Sequence, residues 1–319
     1  MTALPYLLHG ATLALAWLLL FNVVTTVFVA IASALLTRRS GAGSPGFWLA
    51  LRLSPAALSI AFVAFVFLPS YWRYEPREFV EGFDVSLTAL AGFAVAVVGA
   101  AVARGATAWR RAQRRTQDWL RAGQPLALAN TSMPAYAIET DAPVMALVGV
   151  LRPRLVITRP VLEALTDEEL RAAVAHELGH RRAWDNLKRL AMRAAPDLLF
   201  ATGAARTLER RWAAAAERVA DRAAGDTGHA RCALASALVK VARLTPPVNA
   251  IAEPISALVD GGDIATRVQR LLDDAPAAAR SRAAGWLGLA IPAATVVLGY
   301  APLLRTVHAV TEILVNSLP

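Results

Sequence analysis

Three observations predict the fold class of this sequence, an α-helical integral membrane protein with four transmembrane helices and an α+β domain that contains a small antiparallel sheet. Hydrophobic residues form 56% of the 319-residue chain and charged residues 18%, a balance unusual for a soluble protein. Four stretches lack Asp, Glu, Lys and Arg for the roughly 20 residues that a helix needs to cross a bilayer. Between the third and fourth stretches, the pattern changes to short apolar runs followed by a polar helix.

The four predicted spans divide the chain into four regions. The charge-free stretches are residues 4–36, 53–71, 85–103 and 283–304. No basic segment precedes the first, which favours an uncleaved anchor over a cleaved signal peptide. The predicted regions are a three-helix transmembrane region over 1–104, a polar domain over 105–282, a fourth transmembrane helix over 283–304 and a short extracytoplasmic tail over 305–319.

The distribution of charge predicts the orientation of these spans. Arg38, Arg39 and Arg52 lie between the first two spans without any acid, whereas acids outnumber arginines between the second and third. The third span is followed by six arginines and a single acid before residue 122. Because basic residues accumulate on the cytoplasmic side, we expect a multi-pass protein of the cell membrane with its N-terminus outside and its polar domain in the cytoplasm. The same clustering explains the formal charge of +9, so no nucleic-acid partner is expected.

The polar domain is predicted to begin with the antiparallel sheet. Residues 125–159 contain four short apolar runs, "PLALAN", "AYAIET", "VMALVGV" and "RLVITR", separated by turn-forming residues. The segment "TDEELRAAVAHELGHRRAW" follows, in which Thr166 and Glu169 have the spacing of a capping box. A helix is therefore predicted to begin close to Thr166.

Two histidines of this helix are spaced to share one metal ion. His176 and His180 are four residues apart, which places both imidazoles on one helical face. Glu177 then points to the side of the pair, where its carboxylate can contact a metal-bound water without being a ligand. The alternative is a surface helix with two solvated histidines. The capped helix favours the metal site, because this spacing needs a helix to bring the imidazoles together.

A catalytic zinc ion needs a third protein ligand, and the downstream candidates are Glu209, Glu217 and His229. Glu217 is favoured because it lies in the Ala-rich stretch "AAAAERVADRAA", with Asp221 one turn later on the same face. Glu217 would then bind the metal, while Asp221 would hold the distal N–H of a ligand histidine. An ordinary helix whose acids pair with neighbouring arginines fits the same spacing.

The segments "GVLRPRLVITRPVLEALTDEELRAAVA", "HELGHRRAWDNLKRL" and "ERVAD", with their flanking spans, resemble the BlaR/MecR-type family of integral-membrane zinc metallopeptidases. The best-known members of that family are β-lactam sensor-transducers. The motifs extend over about residues 147–221, and the layout of spans over 1–304. The chain is similar, more distantly, to HtpX-type membrane peptidases, which share the Glu-x-x-x-Asp element. Three spans before the polar domain and one after it favour the first family.

This resemblance implies a gluzincin site that hydrolyses peptide bonds at the cytoplasmic membrane face with Zn²⁺. By this resemblance, the metal ligands are His176, His180 and Glu217, and the general base is Glu177. The supporting polar residues are Asp221, Asp185 and Asn186. The implied role is regulatory proteolysis, with a protein or peptide substrate that is a cytoplasmic transcriptional repressor or the enzyme itself. Sensor-transducers carry a large extracellular domain after the last span, and this chain ends at Pro319. We therefore expect the signal to enter through the spans, the outer loop, the tail or a separate sensor partner.

Two other functions fit the same residues: HtpX-like quality control of membrane proteins, and a non-catalytic membrane signal transducer with a structural metal site. Glu177 argues against the second, because a structural site needs no base beside an open metal position.

An extended substrate is predicted to pair with a strand in residues 144–150 or 154–158. His229 and nearby arginines are the candidates to stabilise an oxyanion. Residues 186–208 are predicted to lie at the membrane interface, with a kink at Pro196.

Overall fold

The computed structural model describes residues 4–38, 43–76, 84–128, 131, 133–225, 227–244, 256–257, 264–273 and 287–317. Long apolar helices come first: α1 (Leu4–Arg38), α2 (Pro45–Phe62), which continues through a π-helical segment (Val63–Phe67) into α3 (Leu68–Tyr74), and α4 (Val85–Ala122). Among the described residues, three ranges are long and apolar enough to cross a membrane, namely Leu4–Leu36, Pro45–Tyr74 and Val85–Ala122. These helices support a membrane protein with three N-terminal spans.

Helix α4 joins the third span to the polar domain without a break. It continues past the predicted end of the span at residue 103, because the arginine-rich sequence that follows is also a good helix former. The predicted boundary between residues 104 and 105 therefore falls inside one helix. Near the end of α4, Trp119 packs against buried residues of the sheet.

The sheet that follows is mixed, so the prediction of an antiparallel sheet is wrong for one pair of strands. Its members are β1 (Gly123–Leu126), β2 (Ala135–Ile138), β3 (Met145–Val148), β4 (Arg154–Thr158) and β5 (Ser256–Ala257), in the order β1-β2-β4-β3-β5. Strands β3 and β4 form an antiparallel hairpin whose second strand lies beside β2. Strand β4 therefore has one antiparallel neighbour, β3, and one parallel neighbour, β2.

Helices cover the sheet and complete the domain. They are α5 (Arg159–Ala164), α6 (Asp167–Ala183), α7 (Asp185–Ala194), a 3₁₀ turn (Leu198–Ala201), α8 (Gly203–Ala223), α9 (Gly228–Leu244) and α10 (Ile264–Leu272). One core lies between the sheet, α6 and α9 and includes Leu147, Leu155, Ala173 and Leu238. A second core joins α8 to α1 and α2 and includes Val29, Trp48, Leu208 and Trp212. The polar domain is therefore packed directly against the apolar helices.

The last element, α11 (Leu287–Asn316), covers most of the predicted fourth span. Residues 283–286 lie outside the described residues, and the fourth span stays a prediction. The helix continues beyond residue 304, so most of the predicted tail is helical. Ser70 Oγ donates a hydrogen bond of 2.7 Å to the carbonyl oxygen of Leu304, which fixes α11 against α3.

The segment after α7 is held by side chains of the apolar helices. Asn22 Nδ2 donates to the carbonyl oxygen of Pro196 at 2.9 Å, and Asn22 Oδ1 accepts from the Leu198 amide at 3.0 Å. Pro196 was predicted to kink a helix, but α7 ends two residues before it. The reason is that proline restricts the residue before it to an extended backbone, which Ala195 adopts.

Arg52 is buried, although its position between the first two spans predicted an exposed charge on the cytoplasmic side. Its side chain is 2% exposed and contacts two carboxylates, Asp197 Oδ2 at 2.9 Å and Glu209 Oε1 at 3.1 Å. It also donates to the carbonyl oxygen of Met192 at 2.8 Å. Arg52 thus joins α2 to the polar domain.

Candidate metal centre

Helix α6 begins with the predicted capping box, which the structure confirms. The Glu169 amide donates to Thr166 Oγ1, and the Thr166 amide donates to Glu169 Oε2 at 2.8 Å. Ser236 and Lys240 of α9 also donate to the carboxylate of Glu169, at 2.6 and 2.7 Å. Burial opposes ionisation of Glu169, but these hydrogen bonds outweigh it and lower its pKa to about 2. The start of α6, the helix that carries both histidines, is therefore fixed to α9.

The end of α6 is set by Trp184, which has a left-handed backbone with φ of 57°. This conformation is uncommon for a residue with a side chain, and here it stops α6 and starts α7. The reversal places Asp185 beside the preceding turn. Its Oδ2 atom lies 2.7 Å from His180 Nδ1.

A glycine within the histidine motif allows α6 and α8 to approach closely. A Cβ atom at Gly179 would lie 3.0 Å from the Ala223 Cβ and 3.1 Å from the Ala220 Cα. Alanines on α8 complete the contact, since Ala216 and Ala220 are buried. The close approach carries Glu217 and Asp221 to the two histidines.

The side chains of His176, His180 and Glu217 form a triangle where these helices touch. His176 Nε2 and His180 Nε2 are 3.2 Å apart. Glu217 Oε2 lies 3.5 Å from His176 Nε2, and Glu217 Oε1 lies 3.4 Å from His180 Nε2. Both histidines are fully buried.

The spacing of this triangle fits a tetrahedral metal ion. Zinc bonds to nitrogen and oxygen of about 2.1 Å at tetrahedral angles separate two ligand atoms by roughly 3.4 Å. The two imidazole nitrogens are 3.2 Å apart, and each lies 3.4 or 3.5 Å from a different oxygen of the Glu217 carboxylate, so these separations are close to that value. One carboxylate and two imidazoles also form a donor set that zinc uses in hydrolases. The structure therefore brings together the three residues that the sequence predicts as ligands.

The remaining predicted residues lie around the triangle. Asp221 Oδ1 is 3.1 Å from His176 Nδ1, so each histidine has a carboxylate on the nitrogen that faces away from the triangle. Asn186 Nδ2 donates to the carbonyl oxygens of Leu147 and Gly149, both at 2.9 Å. Asn186 thus fixes the start of α7 to β3, whereas Asp185 contacts His180 directly.

Glu177 is fully buried, and neither of its carboxylate oxygens has a hydrogen-bond partner among the described residues. Burial is the main cause that raises its pKa to about 7, against the opposing effect of His180 and His176. A buried carboxylate without a partner is costly unless another polar group satisfies it. The two Glu177 oxygens without a hydrogen-bond partner therefore indicate that a polar group, such as water, binds beside the triangle.

The electrostatics of the triangle favour positive charge between the three donors. Burial opposes protonation of His180, but Asp185 and Glu217 outweigh it and raise its pKa to about 10. The pKa of His176 is raised in the same way by Asp221 and Glu217, and that of Glu217 is held well below its usual value by both imidazoles. Carboxylates that stabilise a proton on these imidazoles also favour a metal cation in its place.

Arg267 of α10 is part of the site, although no feature of the sequence predicted it. Its guanidinium contacts Glu217 Oε2 at 3.0 Å and Asp221 Oδ1 at 2.6 Å. The chain has 33 basic residues, and no spacing relates this arginine to the histidine helix. Only the fold brings α10 to the end of α8.

The other two candidates for the third ligand lie elsewhere. Glu209 is paired with Arg52, and His229 Nε2 lies 2.9 Å from Glu168 Oε2 at an exposed position. The candidate ligand cluster holds neither of them. His229 is also too exposed to stabilise a charge at the buried triangle.

A buried triangle of two histidines and a glutamate with a further carboxylate beside it is an arrangement that metal-dependent hydrolases use, and the apolar helices fit a membrane protein. The profile of Peptidase family M48 matches residues 110–212, from the second half of α4 to the middle of α8. This match supports a peptidase, and it includes His176, Glu177 and His180 but ends before Glu217. It does not select between the BlaR/MecR-type and HtpX-type families. No curated protein matches the chain.

Proposed function

We propose that the protein is a membrane-embedded zinc metalloendopeptidase that hydrolyses peptide bonds at the cytoplasmic face of the membrane. The observation that carries this proposal is the buried triangle of His176, His180 and Glu217 beside the unpartnered carboxylate of Glu177. The match to Peptidase family M48 supports proteolysis, and the three apolar helices support a membrane location.

The surrounding residues have separate roles in the proposed mechanism. Zinc would polarise the scissile carbonyl and lower the pKa of the attacking water. Glu177 would take a proton from that water and deliver it to the leaving amine, since a pKa of about 7 suits both steps near neutral pH. Asp221 and Asp185 would hold the Nδ1 atoms of the histidines, which leaves both Nε2 atoms free to bind.

Regulatory proteolysis is the role we propose, with a transcriptional repressor or the enzyme itself as substrate and a separate sensor protein as partner. The sheet favours self-cleavage as one activity. Strand β4 lies between β2 and β3, so it cannot accept a substrate strand, whereas β3 pairs antiparallel with Ser256 and Ala257 of β5. This pairing supports the proposal, because an extended substrate would bind an edge strand in the same way.

The activity is tested with Glu177→Gln, which preserves the shape of the side chain and removes the basic carboxylate. Purified variant and wild type should hold the same zinc, while the variant should cleave peptides about 10²- to 10⁴-fold more slowly. Glu163→Gln, which changes an exposed glutamate on α5, is the matched control and should retain full cleavage. Equal cleavage by wild type and Glu177→Gln would show that Glu177 is not the general base.

The role is tested by comparing new protein N-termini in cells that carry wild type or Glu177→Gln. Regulatory proteolysis predicts a few fragments, including those of a repressor or of the protein itself. HtpX-like quality control predicts fragments from many membrane proteins. A non-catalytic transducer predicts no difference between the two strains.

A further inference from the structure

A second cluster of side chains that can bind metal lies near the end of α11, where this helix meets the end of α3. Glu75, His308 and Glu312 each offer one ligand atom, and these atoms lie within 4.8 Å of one another. His308 Nδ1 is 3.7 Å from Glu75 Oε2. His308 and Glu312 are four residues apart on α11, so their side chains share one helical face.

This cluster is remote from the site around His176. Helix α1 starts beside it, since Tyr71 OH donates to the carbonyl oxygen of Tyr6 at 2.7 Å. The other end of α1 leads to Gly43, whose carbonyl oxygen accepts a 3.2 Å hydrogen bond from Arg218, the residue after Glu217. The 30 residues between Tyr6 and Leu36 in α1 correspond to ~45 Å of helix.

Packing holds the middle of this cluster, the His308 ring and the helix that carries it, in place. Val307 belongs to a buried cluster with Phe67 and Tyr71, which fixes α11 next to His308. The ring of Tyr74 stacks on the His308 imidazole, with centroids 5.8 Å apart. A site with one ligand already oriented loses less entropy when it binds an ion.

The donor set selects the class of ion. Imidazole binds zinc and other first-row transition ions well, whereas Ca²⁺ and Mg²⁺ prefer oxygen ligands alone. Two carboxylates balance the charge of a divalent cation, and His308 supplies the nitrogen. We propose that Glu75, His308 and Glu312 form a second binding site for a divalent transition-metal ion, at the end of the apolar helices opposite His176.

The alternative is a simple ion pair between His308 and Glu75 that only joins α11 to α3. Glu312→Gln distinguishes the two, because it removes one metal ligand and leaves that ion pair intact. The full-length protein in detergent is freed of metal and titrated with Zn²⁺, with bound zinc measured after gel filtration. We expect Glu312→Gln and His308→Gln each to bind one equivalent fewer than wild type.

Two matched variants control for exposed side chains of the same kind. Glu163→Gln and His229→Gln should bind as much zinc as wild type, because both residues lie outside the cluster. In His176→Ala, which disables the other site, the equivalent that depends on Glu312 should persist, and excess Mg²⁺ should not displace it. Zinc stoichiometry that is identical in wild type, Glu312→Gln and His308→Gln would overturn the proposal.

Discussion

At the scale of single residues, the two histidines differ in how their Nδ1 atoms are held. Asp185 contacts His180 at 2.7 Å and follows it closely in sequence, through the turn at Trp184. Asp221 lies 3.1 Å from His176 and is shared with Arg267. Asp185, which also pairs with Lys188 at 3.4 Å, therefore links His180 only to its own helix α7, whereas Asp221 links His176 to α10.

Replacement of either aspartate should weaken metal binding without removing a ligand. We expect Asp185→Asn and Asp221→Asn to lower zinc affinity on the order of 10- to 100-fold, because an amide holds the N–H of an imidazole less well than a carboxylate. Excess zinc should partly restore peptide cleavage. Zinc titrations of both variants measure this, with Asp118→Asn, an exposed position on α4, as the control. Unchanged zinc affinity in Asp221→Asn would contradict its supporting role.

Glu169 should make the stability of the domain depend on acid pH. Its folded-state pKa of about 2 lies below the ordinary value of 4.5, so its contribution is present above about pH 4.5 and lost as the pH falls towards 2. Glu169→Gln should reduce the free energy of unfolding at pH 7 by about 1.5–3 kcal/mol, the range for hydrogen bonds to a charged group. Denaturation at pH 7 and pH 3 measures both effects. A difference between wild type and variant that does not shrink at pH 3 would argue against this role.

At the scale of secondary structure, the site depends on how closely α6 and α8 approach. Gly179→Val should force the helices apart, because even a Cβ atom there would lie 3.0 Å from Ala223. We expect a loss of about 1–3 kcal/mol in stability, as for other overpacked cores, together with loss of zinc. Gly203→Val is the matched control, since no atom lies within 4 Å of a Cβ at that position. Thermal unfolding and zinc content of the two variants test this contact.

Local features of the sequence predicted local structure correctly. The capping box at Thr166 involves residues three apart, and the histidine pair needs only one helix. The parallel pairing of β2 with β4 and the contact of Arg267 with Glu217 join segments distant in sequence. No periodicity within either segment encodes such a pairing, because it depends on how the whole domain packs. Glu217 was favoured over its alternatives because it lies in an Ala-rich stretch with Asp221 one turn later.

At the scale of the whole molecule, a buried ion pair joins the apolar helices to the polar domain. Asp197 is fully buried against Arg52, so Asp197→Ala would leave an arginine without its closest carboxylate. Breaking a buried pair in this way costs about 3–5 kcal/mol. Asp118→Ala, which removes an exposed pair with Arg121, should change the stability by at most about 1 kcal/mol. Chemical denaturation in detergent compares the two variants, and similar values for both would contradict the role of Arg52.

The orientation of the molecule in the membrane is predicted from the charged side chains that remain exposed on each side of it. Because Arg52 is buried in an ion pair, it no longer counts towards the cytoplasmic excess. The arginines in the second half of α4 still do, and they outnumber the one acid there. Since α4 runs unbroken from the apolar span into the polar domain, its charged end and that domain must lie on the same side.

A pair of reporter fusions tests this orientation. A reporter that is active only in the cytoplasm should be active when fused after Arg121 and inactive when fused after Glu78, because the loop around Glu78 has more acids than arginines. A reporter that is active only outside the cytoplasm, fused at the same two positions, controls for expression and should give the reverse pattern. If the fusion after Arg121 is active outside instead, the triangle of His176, His180 and Glu217 faces away from the cytoplasm. Cytoplasmic repressors would then be excluded as substrates, while the chemistry proposed for Glu177 would be unaffected.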